Sequence, residues 1–208
     1  MIDVYAFSTP NSVKVPIALE ELGLAYRLHS INIKAGAQKA PEFLTLNANA
    51  KVPVLVDSIS DTKSITLSES AAILVYLAEK TGQLLPVSGE ARARVFEQLF
   101  FHASGLGVAF GNAGYFRKLA PEQMPLAIER FGNEALRILG VLDHVLSNQK
   151  FVAGTELSIA DIAHFGWLWR REFAGVSIEN FPHVARWFAE LEARPAFQRG
   201  IAKTTALA

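Results

Sequence analysis

Two short segments between residues 47 and 80 constrain the fold of this chain more than any other part of it. In the first, Pro53 stands immediately before the apolar run 54–56. Because proline has no N–H to donate to a sheet, it is typical of the first residue of a strand, after a tight turn whose X–Pro bond can be cis. In the second, Glu69 and Ser70 open an amphipathic run, where the unpaired amides of a helix start attract acceptors and anions. An exposed turn beside such a helix start indicates a binding place for a small peptide.

Composition limits the classes of protein to which the chain can belong. Its 208 residues suffice for one large domain or two small ones with a buried core. Lys plus Arg and Asp plus Glu each number 20, so the sequence has no excess of positive charge for nucleic acid or an anionic membrane. Apolar runs are interrupted before they reach the length of a membrane span, and no secretory signal is recognisable. We therefore expect a cytoplasmic protein that binds neither nucleic acid nor membrane.

The chain contains no cysteine. This excludes disulfide frameworks, thiolate metal sites and any enzyme whose own thiol is the nucleophile. Five histidines are present, but no two of them are three or four residues apart, which is the spacing of a metal-binding pair on a helix. We therefore predict no metal site.

The first eighty residues alternate between strand and helix patterns. The order is βαβ, then α, then ββα, which predicts an α/β domain over residues 1–81. A polar turn at 58–61 is predicted to join the last two strands. The predicted strands are 2–7, 26–33, 54–56 and 65–67, and the predicted helices are 13–22, 41–46 and 70–80.

The rest of the chain carries only helical periodicity. Residues 82–89, which contain two glycines and Pro86, are predicted to form a linker. An all-α domain is predicted to follow over residues 90–208. Its predicted helices are 90–101, 122–147, 159–173, 183–192 and 196–203.

One helix start in this second half is unusually well specified. Ser158 and Asp161 have the spacing of a capping box, in which the two side chains satisfy each other's backbone amides. Leu157 and Ile162 occupy the two positions of a hydrophobic staple. These residues are predicted to serve folding rather than function.

The order and spacing of these motifs resemble the soluble glutathione transferases over nearly the whole chain. The motifs are the Val52–Pro53 turn, the Glu69–Ser70 helix start, and the segments 151–154 and 158–161. Within the family, segments 8–11, 19–22 and 127–131 resemble the bacterial nu class and its relatives around the yeast prion regulator. The resemblance implies a thioredoxin-like N-terminal domain with a mixed four-stranded sheet, followed by an all-helical C-terminal domain.

The resemblance also assigns residues that would bind glutathione. The backbone of Val52, ahead of an expected cis-Pro53, would pair with the cysteinyl unit as an added strand. Glu69 would accept from the γ-glutamyl amine, and Ser70 would donate to its carboxylate. Two further residues, Gln38 and Lys51, would face the glycine carboxylate.

The catalytic residues implied by the resemblance are Thr9 and Asn11, on the turn after the first strand. They would sit near the glutathione sulfur. Ser12 is a rival to Thr9, because the subgroup usually has glycine at this position. An arginine corresponding to Arg130 reaches glutathione from the neighbouring subunit in the nu class, which implies a homodimer.

A hydrogen-bond donor and a helix N-terminus together would suffice to activate a substrate thiol at this turn. A thiol of pKa about 8.5 is only about 3% thiolate at pH 7, and lowering its pKa by two units requires roughly 2.7 kcal/mol. A helix N-terminus supplies about 0.3 to 1 kcal/mol, and a hydrogen bond to a charged group about 1.5 to 3 kcal/mol. A hydroxyl or amide donor together with the helix start is enough, so no proton-abstracting base is expected.

Two other aromatic or proline positions bear on these assignments. Tyr5 lies within the first strand rather than at its end, so we expect a core role for it. Pro16 would be tolerated in the first helix only if that helix begins near residue 12 or 13.

The second-substrate pocket is assigned to Tyr115 and Phe116. They follow clustered glycines at 105, 107, 111 and 114, which would let the aromatic helix before them break or bend over the cleft.

The sequence therefore predicts a glutathione-dependent transferase that uses glutathione as substrate and holds no permanent cofactor. Its thiolate would attack an electrophile or a disulfide, giving conjugation, disulfide reduction or both. The alternative is a glutathione-binding regulatory module of the same fold without catalysis. No polar group in the second pocket is diagnostic, so the second substrate and the number of bound glutathione molecules stay open.

Overall fold

The computed structural model describes residues 1–60 and 62–208. Asp61, part of the predicted turn 58–61, lies outside them. The strands are β1 (Ile2–Ala6), β2 (Tyr26–Ser30), β3 (Val54–Ser60) and β4 (Lys63–Ser68). The helices are α1 (Lys14–Glu21), α2 (Pro41–Leu44), α3 (Ser70–Thr81), α4 (Gly89–Phe101), α5 (Gly107–Lys118), α6 (Pro125–Asn148), α7 (Ile159–Trp169), α8 (Arg171–Ala174), α9 (Pro182–Glu192) and α10 (Pro195–Thr205).

The strands form the mixed four-stranded sheet that the sequence predicts, in the order β2-β1-β3-β4. β1 is parallel to β2 and antiparallel to β3, and β4 is antiparallel to β3. The central strands β1 and β3 contribute the buried apolar side chains Ile2, Val4, Ala6, Val54 and Leu55 to the core. The thioredoxin-like order βαβ, α, ββα is confirmed.

Each strand differs from the prediction in at least one boundary, and β1 does so by a single residue. β2 ends at Ser30, three residues early, because the Asn32 side chain accepts from the amides of Lys34 and Ala35 and starts a 3₁₀ turn. β3 and β4 extend further than the apolar runs 54–56 and 65–67. Most of the added residues are polar, namely Asp57, Ser58, Ser60, Lys63, Ser64 and Ser68, so the strands pair here without leaving an apolar signal in the sequence.

By internal contacts the chain forms two compact units, Met1–Gln83 with Arg194–Ala208, and Leu84–Ala193. α10, which the sequence places in the helical domain 90–208, thus packs in the first unit, against α1. The two helices approach so closely that a Cβ on Gly200 would lie 2.7 Å from the backbone nitrogen of Ile17. The domain boundaries at residues 81 and 90 stay a prediction.

The first unit is built around apolar side chains from the sheet and from three helices. α1 begins at Lys14, so Pro16 occupies its first turn, where proline removes no helical hydrogen bond. The side chains buried around α1, α3 and α10 include Ile17, Leu19, Ile73, Leu74, Leu77 and Phe197.

The second unit contains α4 to α9, and its best-defined helix start is that of α7. The predicted capping box is present: the Ser158 hydroxyl accepts from the Ala160 amide, and Asp161 Oδ2 accepts from the Ser158 amide at 2.9 Å. Asp161 is fully buried and its Oδ1 also accepts from the Trp187 indole at 2.9 Å. These contacts support the predicted folding role.

Helix ends in this unit differ from the periodic pattern in identifiable ways. The predicted helix 159–173 breaks after Trp169, and α8 follows as a separate turn closed by Gly175 in the left-handed region. α6 and α9 each begin with a proline, because the amide of the first helical position would have no partner within the helix. The helix starts predicted from apolar spacing therefore differ from the observed starts by up to three residues.

The glycine cluster of α5 has a different role from the predicted one. The bend that was expected is a π-helical turn at His102–Leu106, between α4 and α5. Gly111 and Gly114 instead lie within an unbroken helix, where a Cβ on Gly114 would be 2.1 Å from the Phe173 ring. These two glycines allow close packing of aromatic side chains rather than bending.

Across residues 1–60 and 62–208, no helix combines the length and the apolar character needed to cross a membrane.

The contact between α1 and α10 can be tested by adding one methyl group. We expect Gly200→Ala to lower the free energy of unfolding by about 1 to 3 kcal/mol, because the backbone of Ile17 would have to move. Gly140→Ala is the matched control: nothing lies within 4 Å of its Cβ position, so it should stabilise α6 by about 0.5 to 1 kcal/mol. Urea unfolding followed by circular dichroism measures both. Equal stability of the two variants would contradict the close approach.

Candidate functional site

Three chain segments meet at one edge of the sheet. Val54, the first residue of β3, pairs with Tyr5 on one side and with Ser68 on the other. Because β3 is antiparallel to both neighbours, its start lies beside the ends of β1 and β4. The turn after β1, the segment before β3 and the start of α3 are therefore neighbours, as the sequence analysis requires.

The segment before β3 presents an unpaired stretch of backbone. The Val52–Pro53 peptide bond is cis. The buried Asn47 holds the preceding loop, since its Nδ2 donates to the Lys51 carbonyl at 2.9 Å. Val52 itself makes no hydrogen bond within the part of the chain that the structure describes. Its N–H and C=O are thus available to an extended peptide.

The start of α3 carries strain in its backbone. Glu69 has φ +66° and ψ +111°, in a region that non-glycine residues rarely adopt. Such a conformation costs on the order of 1 to 3 kcal/mol, and it is found chiefly at ligand-binding sites. The exposed Glu69 is followed by the buried Ser70, whose amide belongs to the unpaired first turn of the helix.

The turn after β1 contains two linked hydroxyls. Thr9 Oγ1 lies 2.9 Å from Ser12 Oγ and accepts from the Ser12 amide at 3.1 Å. Ser12 Oγ also accepts from the Phe7 amide at 3.4 Å. Ser12 is fully buried, whereas Thr9 and Asn11 are partly exposed. The burial of Ser12 favours Thr9 over Ser12 as the hydroxyl that would contact a ligand directly.

The sequence analysis missed one residue of this site, Lys14. Its side chain is fully buried, and its Nζ donates to Asn11 Oδ1 at 2.7 Å and to Ser70 Oγ at 3.2 Å. It thus connects the turn after β1 with the start of α3. Burial lowers the pKa of Lys14 to about 7, and the nearby charge of Glu69 partly opposes this effect. The only signal in the sequence was a single lysine inside the apolar run 13–19.

The remaining N-terminal candidates lie near the same edge. Gln38 is in the 3₁₀ turn Ala37–Lys39, after β2, and its Oε1 is buried without a hydrogen-bond partner among the described residues. Lys51 is exposed and Pro53 is buried. Tyr5 stacks on His29, with ring centroids 4.7 Å apart, and does not belong to the turn at 9–12. Tyr5 is only half-buried, so it is not the core residue that we expected.

The other three candidates belong to the second unit. Arg130 is exposed on α6. Phe116 stacks on Phe131 with centroids 5.6 Å apart, and Tyr115 packs edge-on against Phe116 with 45% of its surface exposed. Tyr115 is thus the more accessible of the two residues assigned to the second-substrate pocket.

The sheet edge combines the groups needed to hold a small peptide with an anionic end. Val52 offers backbone pairing, while the start of α3, Ser70 and Lys14 supply hydrogen-bond donors and positive potential. Thr9 and Asn11 place polar groups beside them without any cysteine or titratable base in the turn 8–12. The arrangement can therefore stabilise an anion that the ligand brings, but the turn cannot itself act as a nucleophile through a thiol.

Comparisons with known proteins agree with this description. Family models of the glutathione S-transferase N-terminal and C-terminal domains match residues 9–80 and 127–195. The disulfide-bond oxidoreductase YfcG of Escherichia coli K12 is 39% identical over 207 residues, covering 98% of this chain and 95% of that protein.

Two solved structures are also similar. A glutathione transferase family member from Pseudomonas fluorescens, with two glutathione molecules bound, has a TM-score of 0.90 and 41% identity, covering 96% of this chain and 92% of that one. A glutathione transferase from Pseudomonas putida, with one glutathione disulfide per subunit, has a TM-score of 0.88 and 38% identity over 96% and 90% of the two chains.

The strain at Glu69 yields a test that does not depend on any ligand. Glycine adopts positive φ without a steric penalty, so we expect Glu69→Gly to raise the free energy of unfolding by about 1 kcal/mol. Ala72→Gly, on the exposed face of the same helix, should lower it by about 1 kcal/mol. Thermal and urea unfolding of both variants measure the difference. A loss of stability in Glu69→Gly would show that its backbone is not strained.

Proposed function

The chain belongs to the glutathione S-transferase family, and from this membership we propose that it activates the glutathione thiol for attack on a disulfide or an electrophilic carbon. The observation that carries the proposal is the meeting of Val52, Ser70 and the turn 9–12 at one sheet edge. The chain has no cysteine, so the reacting sulfur must come from the substrate. The similarity to a disulfide-bond oxidoreductase favours disulfides among the substrates.

Glutathione would bind along this edge in an extended conformation. The backbone of Val52 would pair with the cysteinyl unit, since Val52 makes no hydrogen bond among the described residues. Glu69 would accept from the γ-glutamyl amine, and Ser70 would donate to the adjacent carboxylate. Gln38 and Lys51 would contact the glycine carboxylate, with the buried Oε1 of Gln38 available once a ligand donor or water arrives.

The sulfur would lie beside Thr9 and Asn11. In the structure the Thr9 hydroxyl donates to the buried Ser12 Oγ at 2.9 Å; with glutathione bound, both hydroxyls would rotate and Ser12 would donate to Thr9 Oγ1 instead. The hydrogen of Thr9 is then directed outward, toward the ligand. Asn11 Oδ1 is occupied by Lys14, so its amide N–H groups face the ligand side. Two such donors supply more than the roughly 2.7 kcal/mol needed to lower a thiol pKa by two units.

The chemistry with a disulfide would proceed by exchange. The glutathione thiolate attacks one sulfur of the substrate disulfide, the S–S bond breaks, and the departing thiolate takes a proton from water. A second glutathione thiolate then attacks the mixed disulfide, giving oxidised glutathione and the second free thiol. With an electrophilic carbon, the same thiolate displaces a leaving group and forms a thioether.

The assembly and location of the protein are further parts of the proposal. A homodimer would allow Arg130, exposed on α6, to reach glutathione bound to the neighbouring subunit. Tyr115 and Phe116 would contact the second substrate. The balanced charge of the chain supports a cytoplasmic protein that binds neither nucleic acid nor membrane.

Two assays test the proposed function. Isothermal titration with reduced glutathione should show binding, and steady-state assays should show turnover of the mixed disulfide of glutathione and mercaptoethanol, of a chlorinated nitrobenzene, or of both. Binding without turnover of either would favour a regulatory module instead of an enzyme. Absence of binding would contradict the ligand placement as well.

The assignment of Thr9 leads to a more specific expectation. Thr9→Ala should lower kcat by about 10- to 100-fold, because a hydrogen bond to a charged sulfur contributes about 1.5 to 3 kcal/mol. The KM for glutathione should change less than about 3-fold, since Thr9 contacts the sulfur and not the peptide.

Thr205→Ala, at the exposed end of α10, serves as the control and should leave both constants unchanged. Equal losses in kcat and in affinity for Thr9→Ala would instead indicate simple ligand positioning.

A further inference from the structure

Lys14 is buried at the centre of the site, yet the proposed chemistry gives its amine no direct contact with the sulfur. Its exposed fraction is 0%, and its Nζ lies 2.7 Å from Asn11 Oδ1 and 3.2 Å from Ser70 Oγ. These two residues come from segments that are 59 positions apart in the sequence, since Ser70 starts α3 and Asn11 follows β1. Burying a lysine is unfavourable unless its ammonium group is hydrogen-bonded or paired with an opposite charge, so the burial of Lys14 here calls for an explanation.

An ammonium group has only donors, which fixes the orientation of both partners. Asn11 must turn its carbonyl oxygen toward Lys14, and its amide N–H groups therefore point away from the lysine. Ser70 uses an oxygen lone pair to accept from Lys14, so its hydroxyl hydrogen stays available to donate elsewhere. Without the lysine, either side chain could present an acceptor to the ligand instead.

We infer that Lys14 is a positioning residue that makes Asn11 and Ser70 donors toward bound glutathione, Asn11 toward the sulfur and Ser70 toward the γ-glutamyl carboxylate. This inference rests on the proposed function of the same site. It assigns the Asn11 share of the thiolate stabilisation to a chain of two hydrogen bonds, from Lys14 to Asn11 and from Asn11 to the sulfur, beside the separate hydrogen bond proposed for Thr9.

The charges around Lys14 are consistent with this role. Glu69, at the start of α3, is the nearby carboxylate whose charge favours the ammonium form. Burial lowers the pKa of Lys14 to about 7 in the absence of ligand, and two ligand anions next to its partners favour the charged form. The cations of α10, Arg194, Arg199 and Lys203, pair with Glu20 and Glu21 at the opposite end of α1.

The test measures the thiolate of bound glutathione by its ultraviolet absorbance near about 240 nm, at about pH 6.5. Free glutathione is then about 1% thiolate, whereas glutathione bound to the wild-type protein should be about half thiolate. We expect Lys14→Met to reduce the bound thiolate fraction at least about 5-fold and to lower kcat by about the same factor. An unchanged thiolate fraction in a folded Lys14→Met variant overturns the inference.

Lys80→Met is the control, because Lys80 is a lysine of the same unit whose ammonium group is held by a buried side chain, the Asp57 carboxylate. Its Nζ lies 2.7 Å from Asp57 Oδ2, away from Asn11 and Ser70. This variant should lose stability but keep the wild-type thiolate fraction. An equal loss of thiolate in both variants would show that any disturbance of the unit has this effect, and would overturn the specific role of Lys14.

A double-mutant cycle separates positioning from a direct effect of the lysine charge. If Lys14 acts through Asn11, Lys14→Met should cause little further loss of thiolate in an Asn11→Ala background. Additive losses would show that the charge acts on the sulfur independently and would overturn the positioning role. If Lys14→Met does not fold, Lys14→Gln carries the same comparison, since glutamine is polar but can present an acceptor to Asn11.

Failure of this inference can be told apart from failure of the proposed function. If wild-type protein binds no glutathione or holds it entirely as the thiol, the proposed function fails and the inference fails with it. If wild-type protein forms the thiolate and Lys14→Met forms it equally well, only the role of Lys14 is refuted.

Discussion

The pairing of β3 between β1 and β4 is the constraint on which the site depends. Val54 is held on one side by Tyr5 and on the other by Ser68, so the three segments that flank these residues cannot separate. A shift of one residue in either pairing would turn alternate side chains to the opposite face of the sheet. The binding edge is therefore as stable as the sheet itself, and only the side chains at its rim need further support.

That further support comes from two residues whose conformation or burial lowers the stability of the folded protein. Glu69 has a positive φ, and the side chain of Lys14 is fully buried. Local rules of sequence and structure are typically violated at functional sites. Glu69 lies at the start of α3 and Lys14 donates to Ser70 there, which associates these two exceptions with one task. The close approach of Gly200 to Ile17 anchors the helix that carries Lys14.

Much of this could be predicted from the sequence because the decisive residues have strong local preferences. Pro53 marks a strand start, the pair Ser158 and Asp161 marks a helix start, and both elements are found where expected. Lys14 escaped prediction because nothing in a single sequence shows that a lysine is buried. The full burial of Ser12 was likewise not predictable, since a serine on a turn is usually exposed. The roles of the other candidate residues stay predictions.

A protein without cysteine that uses a thiolate must stabilise the negative charge on the sulfur of its substrate. A titratable base would be one solution, but a base near the sulfur would also bind protons in the pH range where the thiolate is needed. Neutral donors, the role we propose for Thr9 and Asn11, avoid this competition because neither side chain titrates. The disadvantage of such neutral groups is that their orientation is not fixed, since a hydroxyl or a side-chain amide can turn an acceptor atom instead of a donor toward the sulfur. A buried ammonium behind Asn11 removes that freedom, and the distance of 2.7 Å between Lys14 Nζ and Asn11 Oδ1 is short enough to do so.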